Sequence, residues 1–247
     1  MSLNIPFDAK WNSVAISMSG GADSALLCYL LCNNITIQKA EHIKIHVISH
    51  IRCWKTKPWQ QYDSERIYNW MTKKFSNITF ERHINFIAPE LEYGNIGPCL
   101  TDEYGKLVSG DNIQQRAYAE FICNKHNIDA YYNGVTRNPR VENFNGMLER
   151  SIEKNENNGH LEAMQHMGRW AFHPFRFVDK SEIVKTYVEL NLIDLFNITR
   201  SCEGKFTEIN YQNYKQGQYV PVCNECFWCK EREWALKANE LIQETSV

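Results

Sequence analysis

A chain of 247 residues with 43% hydrophobic and 13% aromatic content can bury one large domain, or a core domain with a small appendage, and is not composed like a disordered protein. Its formal net charge of −2 argues against a protein that holds nucleic acid through a general positive field. No apolar run is long enough to span a membrane, and Met1 to Lys10 lack the basic-then-apolar pattern of a secretion signal, so the expectation is a cytoplasmic chain.

The first apolar run, Val14-Ala15-Ile16, is rich in β-branched residues and predicts a buried strand ending in Ser17-Met18-Ser19. Gly20-Gly21 breaks it, and Ala25 to Leu31 predict a helix that is apolar nearly all round and therefore buried. Ile43 to Ile48 predict the next strand, and Ile67, Trp70, Met71 and Phe75 follow helical spacing. A short strand is expected at Ile78 to Phe80, a helix around Ile113, Ala117, Phe121 and Ile122, and a strand at Ala130 to Tyr132 that stops at Asn133-Gly134. The polar stretch from Glu149 to Gly159 reads as a loop. Asp179-Lys180-Ser181-Glu182 predicts a helix start with Asp179 as cap and Glu182 reaching back to it. A last helix is marked by Trp234, Ala235, Ala238, Leu241 and Ile242. Strands alternating with helices imply an α/β fold with parallel pairing and a sheet covered on both faces.

The string Ser19-Gly20-Gly21-Ala22-Asp23-Ser24 lies between the first strand and the first helix. Two glycines let the backbone turn sharply and approach a ligand. The turn presents several N–H groups at a helix N-terminus, and Ser19 and Ser24 add hydroxyls, so the loop is an anion cradle. Asp23 suits such a place if Mg2+ bridges it to phosphate oxygens. The Gly-Lys-Ser/Thr ending of a Walker A loop is absent. A bare Gly-Gly would be read as a turn capping an ordinary helix; the full string directly after a strand carries the phosphate reading.

Nine cysteines, an odd number, do not suggest a disulfide framework. Cys28, Cys32 and Cys123 lie in apolar helical patterns and read as buried thiols, while Cys53 and Cys99 are scattered. Cys202, Cys223, Cys226 and Cys229 form a group whose i, i+3 spacing lets sulfurs converge on one ion. Tetrahedral Zn2+ with four thiolates leaves no open position and would be structural; an iron–sulfur cluster accepts the same ligands. His160, His166 and His173 fit no helix face and read as scattered surface histidines. Lys180, Arg137, Arg140, Arg200 and Arg232 are candidates to clamp a triphosphate or a carboxylate, with Arg232 alternatively holding the cysteine lobe through thiolates or backbone carbonyls.

The loop is the signature of the PP-loop, N-type ATP pyrophosphatases, and together with the tail the chain resembles the 7-cyano-7-deazaguanine synthase family, QueC. Thr199-Arg200-Ser201-Cys202, the Cys-x-x-Cys-x-x-Cys run followed by Arg232, Pro174 and Lys180-Ser181-Glu182-Ile183-Val184, and Asn133-Gly134-Val135 carry the resemblance. It departs from the family at Gly110-Asp111-Asn112, where Gly-Arg-Asn is usual, at Thr136-Arg137-Asn138-Pro139-Arg140, and in the longer gap between Cys202 and Cys223. The resemblance implies a Rossmann-like parallel sheet over residues 1–195 and a small zinc-binding lobe over 196–247. It further implies ATP and Mg2+ bound by Ser17, Ser19, Gly20, Gly21, Asp23, Ser24 and Ala25, with Asp23 and Lys180 acting in catalysis. Arg116, Gly134, Arg137 and Arg140 would then face the substrate.

The implied reaction is adenylation of a 7-carboxy-7-deazaguanine carboxylate, amidation by ammonia and dehydration of the amide to a nitrile. No glutaminase segment is visible, so nitrogen would come from free ammonia or another amine. A homodimer is expected. Three alternatives remain open: a ligase joining an activated deazaguanine to another amine, a PP-loop tRNA sulfurtransferase, and a non-catalytic nucleotide-sensing module.

Overall fold

The computed structural model describes residues 3, 5–52, 59–87, 110–139, 169–204, 215, 218 and 220–241, with the side chains of 52, 87 and 110–114 left aside. Cys53, Cys99, Arg140, His160, His166, the stretch Glu149 to Gly159 and Ile242 lie outside the described residues or side chains, as do the side chains of Gly110-Asp111-Asn112 and Ile113.

Five parallel strands form one sheet in the order β3-β2-β1-β4-β5: β1 (Ser13–Ser17), β2 (Lys44–Arg52), β3 (Phe80–Ile87), β4 (Ala130–Tyr132) and β5 (Trp170–Phe172). The helices between them are α1 (Ala22–Ile37), α2 (Gln60–Lys74) and α3 (Gly110–Lys125), followed by α4 (Lys180–Glu189), α5 (Ile193–Asn197) and α6 (Phe227–Ala238). The chain winds outward from β1 to β3 and then returns to the other side of β1. Right-handed crossovers therefore place α1 and α2 on one face and α3 on the other. Val14, Ile16, Ile45 and Val47 point to the first face and join Leu26, Leu31, Ile67, Met71, Val184, Tyr187 and Leu195 in the main core. Alternation sends Ala15 and Ile48 to the second face, where Ala119, Ile122, Cys123 and Ile128 cover them. The fold is a Rossmann-like α/β sheet with helices on both faces, as expected.

Several boundaries move. α1 runs from Ala22 to Ile37, well beyond Leu31, and buries nine residues around its circumference, including Cys28 and Cys32. Ile78 is in the turn after α2, and the expected short strand is the eight-residue β3 that starts at Phe80. β5 has only three residues and carries no run long enough to read from sequence. α6 ends at Ala238, short of Leu241. Ala235 on α6 sits in the main core, so the cysteine-bearing tail packs on the sheet domain. Among the described residues no helix is long and apolar enough to cross a membrane.

Candidate active site

The strand order reverses between β1 and β4, and the carboxyl ends of these strands border a crevice, the usual ligand position in such sheets. β1 delivers Ser19 to Ser24 to that crevice. Gly20 adopts φ +89°, a left-handed conformation that only glycine takes without strain. A Cβ on Gly20 would lie 2.9 Å from the Cβ of Asp63, so α2 closes tightly behind the loop. Gly21 is the N-cap of α1 and offers no side-chain cap, so the first-turn N–H groups of a 16-residue helix face the crevice without an internal acceptor. Ser24 is held within the loop: its hydroxyl donates to the Gly21 carbonyl at 3.1 Å and lies 3.3 Å from the Ser19 hydroxyl. Across the crevice the segment after β4 backs the loop. A Cβ on Gly134 would sit 3.1 Å from the Ser24 amide nitrogen.

The helix predicted at Asp179 is present, and its capping box is complete. The Asp179 carboxylate accepts from the Ser181 and Glu182 amides, and Glu182 accepts from the Asp179 amide. This fixes the start of α4 and aims Lys180, which is only 3% exposed, at the loop. The Lys180 ammonium donates to both carboxylate oxygens of Asp23, at 2.6 Å for Oδ1. It also lies 3.8 Å from Oε2 of the buried Glu231. Asp23 and Lys180, 157 residues apart in sequence, are thus one unit.

The tail builds the opposite wall. The Arg200 amide donates to the Gly20 carbonyl at 2.9 Å, and its guanidinium lies over the Trp59 ring at 4.8 Å while donating to the Val220 and Pro221 carbonyls. Asp63, Arg200, Cys202 and Trp228 line the same cavity as Ser19, Asp23, Gly134 and Lys180. Burial pushes the Asp63 carboxyl up to about 6, against the pull of Arg200 and Arg66.

Cys202, Cys223, Cys226 and Cys229 converge, with all four sulfurs within 4.8 Å of one another. The Cys202 and Cys223 sulfurs are 3.5 Å apart, and those of Cys223 and Cys229 are 3.8 Å apart. Amides of Gly204 and Cys223 point at the Cys202 sulfur at 3.4 and 3.3 Å. A hydrogen bond with Cys226 and these amides hold the Cys202 thiol well below its ordinary range, while the same bond raises Cys226. One thiolate held by its neighbours is what crowding allows without a cation; four thiolates need a metal charge at their centre, and the donor set fits a soft or borderline ion.

Not every residue expected at the site is there. Ser17 and Ser19 line an adjoining cavity with His50, Gln60 and Gln115, whereas the neighbouring Arg116 is exposed on α3 and lines neither cavity. Arg137 is engaged by Asp179 at 3.1 Å and Glu182 at 3.4 Å and so locks the start of α4; Val135 and Thr136 line the crevice there. Arg232 reaches a hydroxyl and a backbone carbonyl: it donates to Thr199 Oγ1 at 2.9 Å and to the Phe196 carbonyl at 3.1 Å, with its guanidinium over the Phe196 ring. Trp59, Asp63 and Glu231 are cavity residues that no motif marked. Glu231 had one available signal, an acid two residues after Cys229 on a helix whose neighbours face inward; Asp63 had none beyond its place in the first turn of α2.

No protein-family model and no curated protein sequence matches the chain. Among solved structures it overlaps with the U34-tRNA thiolase NcsA of Methanococcus maripaludis with its [4Fe-4S] cluster, at TM-score 0.48 and 14% identity over 94% of this chain and 67% of that one. It overlaps with a 4-thiouridine synthetase in complex with RNA and ATP, at TM-score 0.48 and 20% identity over 76% of this chain and 42% of that one. It also overlaps with NAD+ synthetase from Burkholderia pseudomallei, at TM-score 0.41 and 11% identity over 95% and 84%. The chain therefore spans less than half of the 4-thiouridine synthetase. The chemistry open to this chain follows from its own residues.

Proposed function

We propose that the protein is an ATP-dependent enzyme that adenylates a carboxylate of the 7-carboxy-7-deazaguanine type and passes the acyl group to ammonia or another amine. The observation that carries this reading is the loop with uncapped amides at the switch point, facing a buried lysine that is clamped by the loop's own aspartate. The amides and the Ser19 and Ser24 hydroxyls would hold the β- and γ-phosphates of ATP, and Lys180 would neutralise charge that develops as pyrophosphate leaves. Mg2+ would be held by Asp23 together with phosphate oxygens and would supply further charge stabilisation.

The substrate carboxylate attacks the α-phosphorus, the bond to the bridging oxygen breaks, and pyrophosphate departs. Ammonia then attacks the acyl carbon, loses a proton, and AMP leaves with the carbon–oxygen bond electrons, giving the amide. In the full synthase sequence the amide oxygen attacks the α-phosphorus of a second ATP and pyrophosphate departs; two N–H protons and AMP are then lost, and a nitrile remains. In this reading residues 1–195 form the activating unit, and 196–247 form the metal-held tail that closes its pocket. Substrate identity rests on the motifs of the tail and on Lys180-Ser181-Glu182-Ile183-Val184. The test is mass spectrometry of products after incubation with ATP, Mg2+, ammonia and 7-carboxy-7-deazaguanine. Amide or nitrile with AMP supports the reading; no consumption of that acid, with the loop intact and ATP bound, overturns the substrate assignment.

One observation favours a second reading. Cys202 lies in the wall of the nucleotide cavity, where a sulfur-transfer enzyme needs a reactive thiolate. Iron with acid-labile sulfide after anaerobic purification would select tRNA thiolation; a zinc that Cys226→Ser loses would select the deazaguanine reading.

A further inference from the structure

Four other side chains converge at the opposite end of the sheet. His46 on β2 is the register partner of Glu81 on β3, and His83 lies two residues beyond Glu81 on the same face. His126 follows the last turn of α3, where its amide donates to the Ile122 carbonyl at 3.1 Å. α3 packs on this face over Ala15 and Ile48, so it brings His126 down onto the strands. The His46 Nδ1 and His83 Nε2 atoms are 2.9 Å apart. Oxygens of Glu81 lie 3.8 Å from His46 Nδ1, 3.6 Å from His83 Nε2 and 3.8 Å from His126 Nε2. All four ligand atoms lie within 4.8 Å of one another.

We propose that His46, Glu81, His83 and His126 form a metal site, separate from the cysteines, that takes Zn2+ as a structural ion. A tetrahedral ion with ligands at ~2.0–2.1 Å has ligand atoms a little over 3 Å apart, close to the spacing found here. Three imidazoles and one carboxylate are a borderline donor set that suits zinc. The His126 Nε2 atom is buried and has no hydrogen-bond partner, a cost that a metal bond removes. His46 and His83 face each other through ring nitrogens, and only one proton fits between two such atoms, so at least one lone pair already points inward. Moving that proton to the far nitrogen of its ring frees the second lone pair without changing the charge.

Lys44 opposes a cation here, but it takes the Glu81 Oε2 atom at 2.5 Å, while Oε1 is the oxygen that faces His83 and His126. With four protein ligands the ion has no open position. Its work is to fasten the end of α3 to β2 and β3, away from the nucleotide crevice.

The test uses the full chain. Protein is incubated with excess Zn2+, freed of unbound metal by gel filtration and assayed for zinc, beside His126→Ala and His83→Ala. The wild type is expected to hold one zinc more per chain than either variant, whatever the cysteines hold, and zinc affinity at this site should fall by more than about 100-fold, the upper end of what losing a ligand's supporting partner costs. Co2+ provides an independent readout. The wild-type minus His126→Ala difference spectrum should contain visible d–d bands and no near-ultraviolet thiolate charge transfer. His126 is partly exposed, so its variant decides the matter if His83→Ala fails to fold. Equal metal content in wild type and His126→Ala, or a difference spectrum carrying thiolate bands, would overturn the proposal.

Discussion

The cysteine group and the histidine group are both compact enough for one metal ion, yet they are built in opposite ways. The sulfurs come from turn segments and the start of α6, and three of the four are partly exposed. Their N–H···S bonds come from the amides of Gly204, Cys223 and Cys226. The imidazoles stand on two paired strands and a helix end, with His46 fully buried. Position differs as well. The sulfur group forms part of the wall of the crevice at the carboxyl ends of the strands, with Cys202 lining the cavity that Lys180 and Asp23 share. The histidines sit at the amino ends, away from that crevice. A metal on the sulfurs would therefore be coupled to whatever the crevice binds, whereas a metal on the imidazoles would be coupled to the sheet.

The largest effect should come from the crevice. Asp23→Ala removes the partner that holds Lys180; in the proposed mechanism it would also remove a ligand for Mg2+, and Lys180→Ala would remove the charge that faces the departing pyrophosphate. Each should lower ATP–pyrophosphate exchange by at least ~10²–10³-fold, the scale of losing one electrostatic stabiliser. Near-normal exchange by a folded Lys180→Ala protein would remove this residue from the mechanism. Cys226→Ser comes next. A tail held only by metal would lose zinc and melt early while ATP binding survived. Because Arg200 bonds the Gly20 carbonyl and Cys202 lines the cavity, we expect nucleotide affinity to fall together with zinc content and melting temperature. Unchanged ATP affinity in a zinc-free, loosened variant would break the coupling.

A third effect is a pH dependence. Asp63 is pushed up from 3.8 to about 6, mainly by burial, so the folded state binds its proton more tightly than the unfolded one. Its contribution to stability is then present below about pH 4 and is lost as pH rises through about 6, an effect of at most roughly 2–3 kcal/mol. Asp63→Asn should flatten that part of the stability profile measured by denaturant unfolding. A slope unchanged between pH 4 and 6 would show that Asp63 does not titrate there.

What the sequence reveals follows the same division. The loop and the cysteine run are local strings, so spacing alone places their atoms. The capping box at Asp179 was legible for the same reason, because all its bonds lie within three residues. The Asp23–Lys180 pair was visible only as two separate residues, since the contact depends on how α4 returns to α1. Nothing local shows that Arg137 pairs with Asp179, 42 residues on, because that contact depends on how α4 returns to the segment after β4. The histidine group was invisible. Its members belong to β2, β3 and the end of α3, and no local spacing joins His46 to His83 or His126. β3 itself was cut short because Glu81, Arg82 and His83 interrupt the apolar pattern, and the structure shows that Glu81 and His83 are turned toward α3.

The smallest effect separates two glycines on either side of the loop. At Gly20 a side chain meets two obstacles: φ is +89°, which costs an L-residue about 1–2 kcal/mol, and the added Cβ would lie 2.9 Å from Asp63 Cβ and 3.2 Å from the Ser64 amide nitrogen. Gly20→Ala should therefore lower both melting temperature and ATP affinity, because the shift needed involves the backbone of α2. At Gly134 no positive φ is required, so alanine brings no backbone strain. Its Cβ would instead sit 3.1 Å from the Ser24 amide nitrogen and 3.2 Å from the carbonyl carbon of Asp23, in the space above the amides that would face phosphate. A shift of a few tenths of an ångström accommodates it, so Gly134→Ala should melt within a few degrees of the wild type. ATP should nevertheless bind about tenfold more weakly, the size expected when one amide hydrogen bond to a charged ligand is lost or misaligned. Calorimetric titration of ATP beside thermal melting decides it. Full affinity with lowered melting would mean that Gly134 serves packing alone and that the phosphates lie away from the Ser24 amide.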